Sequence, residues 1–218
     1  MKTKTITIDG PAGSGKTTVS RILAEKLGYI YVDTGSLYRG VAFEVDESGI
    51  DWQDDAALNK FLSRINIEPV LKKDSFALLS SGRDITAFIR SDKISMLASA
   101  VSAKLAVRAS LLEIQKNIAK KNNAVFEGRD MGTIVFPNAD FKFFLFADLK
   151  IRALRRYKEM GKTGHILADV ETSMAKRDKN DSQRKEAPLK PAIDAIMVDS
   201  TDLTIDKVVG QMLLIINR

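Results

Sequence analysis

Residues 10–18 read Gly10-Pro11-Ala12-Gly13-Ser14-Gly15-Lys16-Thr17-Thr18, and this stretch decides the fold of the chain. An apolar run at 6–8 precedes it and a helical pattern at 19–27 follows it, so the spacing GxxxxGK(S/T) lies between a predicted strand and a predicted helix. Glycines let backbone N–H groups turn inward around a polyphosphate, Lys16 brings a positive charge to its oxygens, and the Thr17 hydroxyl can hold Mg²⁺. The helix that begins there adds its positive dipole. The stretch therefore predicts nucleotide binding rather than a glycine-rich turn without function.

The composition is that of an ordinary globular protein, with 44% hydrophobic and 28% charged residues among 218. This length predicts one compact domain that carries an insertion. No apolar run reaches the roughly 18 residues that a membrane span needs, and the first ten residues predict a strand instead of a signal peptide. The chain has no cysteine, which excludes disulfides and thiolate metal sites. We therefore expect a cytoplasmic protein without a membrane partner.

The net charge of +6 raises the question of nucleic-acid binding. Lysines are scattered along the chain, however, whereas arginines gather at 152–156 and 177–184. A small, highly phosphorylated ligand needs clustered arginines equally well. We therefore expect no nucleic-acid partner.

The pattern of strands and helices alternates along the chain, except between residues 50 and 90. The alternating part has predicted strands at 29–33, 124–127, 141–146 and 195–199 and predicted helices at 36–47, 91–121, 149–160, 167–179 and 204–217. The exception has a short helix around 54–64 and three short strand-like pieces at 68–72, 76–80 and 84–88, separated by polar turns at 73–74 and 81–82. The sequence predicts an α/β fold in which helices cover both faces of a parallel sheet, with ligands at the carboxyl ends of its strands. The short strand-like pieces and polar turns between residues 50 and 90 predict an inserted antiparallel meander.

Two further motifs follow core strands and so lie at the predicted ligand-binding edge. Residues 33–39 place the Thr34 hydroxyl, a helix N-terminus and Arg39 together, which makes either a second anion cradle or a helix cap with a solvated arginine. Residues 127–133 place Arg129 between two acids and two glycines. Their position after a core strand favours a functional role over a salt-bridged surface turn.

The arginine clusters predict a closing lid. Residues 177–184 are joined to Arg152, Arg155 and Arg156 across the glycine-bounded segment 161–164. Charge runs are usually solvated, but arginines on a lid can close over a transferring phosphoryl group and neutralise its oxygens. His165 is the only histidine and is expected in the turn of this lid, so Ser/His and Cys/His nucleophile pairs and multi-histidine metal sites are excluded.

Taken together, the motifs resemble those of the bacterial cytidylate kinases, nucleoside-monophosphate kinases that phosphorylate CMP and dCMP. The matching segments lie at 8–18, 33–39, 89–103, 127–137 and 176–189, in the order of the family. The resemblance implies a P-loop NTPase core at about 1–40, 91–150 and 190–218, an NMP-binding insert at about 41–90 and a helical lid at about 151–189. It also implies ATP as phosphoryl donor, Mg²⁺ as metal ion and a monomer acting on small nucleotides.

The resemblance also implies roles for individual residues. Thr34, Arg39 and Arg129 would hold the acceptor phosphate, and Arg177 and Asp181 would lie near the ribose. The residues that would face cytosine are Ser99, Arg108, Asp130 and Arg184. The implied catalytic residues are Lys16, Arg155, Arg156, Arg177 and Asp130.

The residues implied to face cytosine have suitable chemistry. The exocyclic amine of cytosine requires an acceptor such as a carboxylate or hydroxyl, whereas its N3 and O2 require a donor such as arginine. Two departures from the family stand out: position 127 is Glu where Asp is usual, and the segment 178–184 carries fewer arginines. Two alternatives stay open, a kinase for another monophosphate or small metabolite and a P-loop switch or nucleic-acid-binding ATPase. The absence of an NKxD-type segment counts against a GTPase.

Overall fold

The computed structural model describes residues 2–71, 76–161 and 166–217. The helices and strands of these ranges are, in chain order, β1 (Thr5–Asp9), α1 (Lys16–Leu27), β2 (Ile30–Asp33), α2 (Thr34–Ser48), α3 (Asp55–Leu62), β3 (Ile67–Leu71), β4 (Phe76–Ser80), β5 (Arg83–Asp84), α4 (Asp92–Val101), α5 (Leu105–Lys121), β6 (Ala124–Gly128), β7 (Phe141–Phe146), α6 (Leu149–Glu159), α7 (Leu167–Gln183), β8 (Ile196–Asp199) and α8 (Ile205–Ile216). A short 3₁₀ turn at Phe88–Arg90 and a π-helical turn at Met131–Val135 complete them.

The central sheet is parallel and, in the described part of the chain, has five strands in the order β2-β6-β1-β7-β8. Val125 packs in the cluster that holds α1 and α8, whereas its neighbour Phe126 packs in the cluster that holds the end of α5. Successive side chains of a strand point to opposite faces, so both faces of the sheet are covered by helices. This confirms the predicted α/β fold.

The register of the sheet aligns the ends of three strands. Asp9 of β1 lies beside Gly128 of β6, and Asp33 of β2 lies beside Glu127. Because these strands are parallel, their carboxyl ends share one edge of the sheet. The loop at 10–15 and the segment after β6 therefore begin next to each other.

The predicted antiparallel meander is confirmed as a sheet in the order β3-β4-β5, which packs with α2, α3 and α4 around a second core. The third predicted strand, at 84–88, is wrong in its extent. Strand β5 covers Arg83–Asp84 alone, Ile85 is fully buried, and the chain then enters the 3₁₀ turn. The predicted turn at 73–74 and residue 72 of the first predicted strand lie outside the described residues.

The single helix predicted over 91–121 is wrong, because the chain bends by 100° between α4 and α5. Tight turn bonds run from the amides of Ala103 and Lys104 to the carbonyls of Ala100 and Val101, at 3.2 and 3.0 Å. The bend turns Leu105 out to solvent while Val101 stays in the core. Within the described ranges no single helix is long and apolar enough to cross a membrane, and α4 and α5 meet that test only when joined.

The predicted lid helices are present as α6 and α7, which pack on each other through Ala153, Val170 and Met174. Helix α7 continues four residues beyond the predicted end at 179, so Asp181 is a helical residue. Its carbonyl accepts a hydrogen bond from the amide of Leu189 at 2.7 Å. Residues 162–164 of the glycine-bounded segment and His165 lie outside the described residues.

Candidate active site

A cleft of about 680 Å³ opens between the loop at 10–15, the sheet edge and helix α7. It brings together most of the residues predicted for the site, which are Ala12, Gly13, Lys16, Thr17, Thr18, Thr34, Arg39, Ser99, Arg108, Arg129, Asp130, Arg156, Arg177, Asp181 and Arg184. The predicted residues outside this lining are Gly10, Pro11, Ser14, Gly15 and Arg155. One cleft thus combines the phosphate loop with both acidic and basic side chains.

The glycine loop owes its path to positions where a side chain does not fit. A Cβ on Gly10 would lie 1.9 Å from the carbonyl oxygen of Leu145 in β7, and Gly15 has φ +89° directly before α1. The Lys16 ammonium donates to the Pro11 carbonyl at 2.6 Å across the loop. Burial, followed by the charge of Arg129, lowers the pKa of Lys16 well below its usual range. The loop therefore presents a desolvated cation at the start of α1.

The two neighbouring arginines of α6, both implied to be catalytic by the resemblance, point in different directions. Adjacent helical residues are separated by about 100° around the axis. Arg156 lines the cleft and pairs with Asp92 at 2.9 Å. Arg155 instead donates to the Oγ and the carbonyl oxygen of Ser200, at 3.1 and 2.5 Å. Because Ser200 Oγ donates to the carbonyl of Ser14 at 3.0 Å, Arg155 supports the back of the phosphate loop.

Asp33 and Glu127 are buried carboxylates at the sheet edge that line the cleft, and the sequence analysis assigned neither of them to the site. Glu127 Oε1 accepts from Thr17 Oγ1 at 2.9 Å and from the Tyr31 hydroxyl at 3.0 Å. Its Oε2 is buried without a hydrogen-bond partner in the described part of the chain. Burial and then the charge of Asp33 raise the pKa of Glu127 to about 7. The signal in the sequence was an acid at the end of each of two predicted strands.

The second anion cradle predicted at 33–39 lies beside these carboxylates. Asp33 caps α2 by accepting from the Ser36 amide at 2.9 Å, and it also pairs with Arg39 at 2.9 Å. Thr34 Oγ1 donates to the carbonyl of Glu127 at 2.6 Å. The predicted helix cap is therefore present, but Arg39 lines the cleft and pairs with Asp33 instead of being fully solvated.

A buried acid between two arginines lies at the end of the cleft formed by the bend between α4 and α5. The side chain of Asp130 is 2% exposed, and those of Arg108 and Arg184 are 10% and 9% exposed. Arg108 is hydrogen-bonded to Asp130, whereas Arg184 lies 3.8 Å from it and donates to Ser102 Oγ at 3.1 Å. Burial raises the pKa of Asp130, and Arg108 opposes that rise. Ser102 was not predicted, because its place depends on the bend.

Helix α7 closes the cleft through Asp181. Its carboxylate accepts from Ser99 Oγ of α4 at 2.9 Å and pairs with Arg129 Nε at 3.1 Å. Burial alone would raise the pKa of Asp181, but Arg129 and Arg177 outweigh it and hold the pKa below its ordinary value. Arg177 lines the cleft beside Arg129, and burial lowers its pKa to about 10. The charges of Arg129 and Arg177 thus act on each other at the cleft, and both act on the same acid, Asp181.

Comparisons with known proteins decide the family. A family model described as Cytidylate kinase matches residues 6–218. The chain belongs to the cytidylate kinase family. Among curated cytidylate kinases, that of Ligilactobacillus salivarius is 44% identical over 220 residues, covering 100% of this chain and 98% of the relative. That of Geobacter sulfurreducens is 42% identical over 209 residues, covering 95% and 90%, and that of Bacillus subtilis is 40% identical over 215 residues, covering 97% and 96%.

Solved structures support the fold of this cytidylate kinase family member. Shikimate kinase from Acinetobacter baumannii in complex with shikimate superimposes with a TM-score of 0.51 at 14% identity, covering 99% of this chain and 93% of that chain. Shikimate kinase from Bacteroides thetaiotaomicron gives a TM-score of 0.51 at 13% identity, covering 99% of both chains. At this identity the likeness concerns the fold alone.

Proposed function

We propose that the protein transfers the γ-phosphoryl group of ATP to the 5′-phosphate of CMP or dCMP. The observation that carries the proposal is the Arg108–Asp130–Arg184 group, which lies in the same cleft as the phosphate loop. The phosphate loop would bind the polyphosphate of one nucleotide, and the Arg108–Asp130–Arg184 group would bind the base of a second. The cleft therefore suits two nucleotides that are bound at the same time. Membership of the cytidylate kinase family supports the same reaction.

The chemistry requires positioning and charge neutralisation more than covalent catalysis. An oxygen of the acceptor phosphate attacks the γ-phosphorus, and the bond from that phosphorus to the oxygen bridging to ADP breaks. Lys16, Arg156 and Arg177 line the cleft, where they would neutralise the charge that develops on the transferred group. Arg39, Arg129 and Thr34 would hold the acceptor phosphate in line.

The residues at the sheet edge fit Mg²⁺. The Thr17 hydroxyl and the unpartnered Glu127 Oε2 are hard oxygen donors, and Mg²⁺ takes one or two such protein ligands and keeps several waters. When bound, the ion would neutralise and orient the β and γ phosphates. When the ion binds, Glu127 would supply the carboxylate that Asp usually supplies at this position.

The base preference follows from donor and acceptor positions. Arg108 and Arg184 donate only, and Asp130 accepts when ionised, which complements the N3, O2 and amine of cytosine. Uracil carries an N3–H and an O4 in place of N3 and the amine, so it would set donor against donor and acceptor against acceptor. Asp181, bound to Ser99 and Arg129, would lie near the ribose.

The proposed setting of the reaction is a cytoplasmic monomer that acts on small nucleotides, without a nucleic-acid or membrane partner. The cysteine-free composition supports a reducing compartment. Much of the clustered arginine charge faces carboxylates in or beside the cleft, as the Arg152–Asp178 and Arg184–Asp130 pairs do, instead of forming a basic surface. Light scattering on the purified chain tests the monomer.

The test of the reaction is ADP release with CMP, dCMP, UMP, AMP and dTMP as separate acceptors. We expect rapid turnover with CMP and dCMP and little with the other three. Turnover with AMP or dTMP alone would support a kinase for another monophosphate. ATP hydrolysis that needs a nucleic acid, with no small acceptor, would support the ATPase alternative.

A further inference from the structure

A buried acid outside the cleft joins the phosphate loop to the residues that face the acceptor. Asp9 is the last residue of β1 and directly precedes the loop; it is 4% exposed and does not line the cleft. Its Oδ1 accepts from the amide of Met131 at 2.9 Å, and its Oδ2 accepts from the amide of Gly132 at 2.7 Å. Both oxygens are therefore engaged by successive backbone donors.

Only an acid can make this pair of bonds at this place. The two amides begin the π-helical turn Met131–Val135, and donors at the start of a helical turn have no partner within it. A carboxylate accepts at both oxygens, whereas an amide side chain carries a donor in one of the two positions. Burial raises the pKa of Asp9 to about 6, and the bonds from Gly132 and Met131 oppose that rise. Position 9 thus carries a carboxylate although burial disfavours its ionised form.

The bonds fix the backbone that follows Arg129 and Asp130. Gly128 is in register with Asp9 on the neighbouring strand, so the segment is held to β1 on both sides of these two residues. Gly132 leaves little room for movement, because a Cβ there would lie 3.0 Å from Thr7 Oγ1 and 3.4 Å from Asp9 Oδ2. A shift of this backbone would carry Arg129 away from Asp181 and Asp130 away from Arg108.

We propose that Asp9 is a positioning residue that sets Arg129 and Asp130 for the acceptor nucleotide by clamping the amides of Met131 and Gly132. This inference rests on the proposed function, since it assigns the acceptor to those two side chains. The acid touches neither nucleotide. It acts by anchoring their binding residues to the strand that leads into the phosphate loop.

The test is Asp9→Asn, which preserves shape and replaces one acceptor oxygen with an NH₂ donor facing an N–H. We expect the Kd and the KM for CMP to rise by roughly 10- to 100-fold. The variant loses one hydrogen bond to a charged group, and its NH₂ donor faces a backbone N–H donor. The Kd for a non-hydrolysable ATP analogue, measured by calorimetry without acceptor, should stay within about twofold, because the Lys16 ammonium donates to Pro11 and the Asp9 carboxylate accepts from Met131 and Gly132 instead.

Thr7→Val is the matched control. Thr7 lies on the same strand two residues earlier, is fully buried, and has an Oγ1 without a hydrogen-bond partner in the described residues. It should leave both affinities unchanged. Asp9→Ser, which keeps one acceptor in a smaller side chain, should weaken CMP binding in the same direction as Asp9→Asn.

The outcomes separate the two proposals. A parent protein that does not phosphorylate CMP overturns the proposed function. An active parent whose Asp9→Asn variant binds CMP normally, or loses CMP and ATP affinity equally, overturns the positioning role alone. If neither variant at position 9 folds, the acid serves folding and the positioning role is likewise overturned.

Discussion

Arg108→Met is the sharpest test of the base-binding end of the cleft. The substitution removes the guanidinium but keeps a long apolar side chain on α5, so packing around it changes little. In the free protein it leaves Asp130, which is 2% exposed, with Arg184 at 3.8 Å as its nearest cation. Breaking a buried ion pair costs about 3–5 kcal/mol, and the remaining arginine should keep the loss of stability near the lower limit.

The loss in catalysis should fall on CMP. A hydrogen bond to a charged group is worth about 1.5–3 kcal/mol, which corresponds to a rise in KM for CMP of roughly 10- to 150-fold. Arg108 lies on α5, apart from the phosphate loop, so the KM for ATP should stay within about twofold. In the parent protein CMP should exceed UMP in kcat/KM by a factor on the order of 10³, and in the variant that ratio should collapse.

The assay is kcat/KM for CMP and UMP, with the KM for ATP, on the parent, Arg108→Met and a control. The control is Lys104→Met, which removes a cation just before α5 whose partner Asp55 is 78% exposed, with an N–O distance of 2.8 Å. A surface pair of this kind contributes at most about 1 kcal/mol, so the control should behave as the parent. If the parent uses CMP and UMP equally, or if the variant loses kcat with an unchanged KM, the reasoning about the base is refuted.

Three further predictions concern the loop, the lid and the buried acid. Lys16→Ala should lower kcat by a factor of roughly 10²–10⁴, because the variant loses a preorganised positive charge in the phosphate loop. Circular dichroism will verify that the variant is folded, and near-normal turnover of the folded variant would contradict the role of Lys16. Amides in 166–183 should gain protection from hydrogen exchange when both nucleotides bind, and equal protection in the free state argues against a closing lid. Glu127, with a pKa raised from 4.5 to about 7, binds a proton in the folded state that the unfolded chain has lost, so its contribution to stability is full below pH 4.5 and is lost as pH rises through 7. The measurement is the free energy of unfolding of Glu127→Gln and of the parent, obtained with urea in the presence of EDTA. As the pH rises from 5 to 8, the free energy of unfolding of the variant should increase by about 2–3 kcal/mol relative to that of the parent. A difference between the two proteins that does not change with pH would contradict the raised pKa of Glu127.

The closing contacts of α7 show where sequence reasoning was sufficient and where it was not. The clustered arginines of 177–184 predict a lid, and α7 lines the cleft through residues such as Arg177 and Asp181. The helix was predicted to end at 179, however, because 180–184 is polar throughout. Its continuation is supported by Asp181, whose partners Ser99 and Arg129 come from segments 82 and 52 residues away. The helix propensities of residues 180–184 do not depend on such distant partners, so they do not predict this continuation of the helix.

What the sequence determined by itself is what contiguous residues encode. The spacing of residues 10–17, the strand before it and the helix after it specify a phosphate loop, because backbone conformation there depends on neighbouring glycines. The alternation of apolar strands with helices likewise specifies a parallel sheet and its ligand-binding edge, and the change of pattern at 50–90 marks the meander.

Only the tertiary structure decided the arrangements that depend on distant register. The bend at 102–104 brings Ser102 to Arg184, the helical phase of α6 separates Arg155 from Arg156, and the alignment of β1 with β6 places Asp9 under the amides of 131 and 132. Each of these rests on contacts between residues far apart in the chain. Their energies arise from burial and hydrogen bonds that exist only once the sheet and its covering helices have assembled.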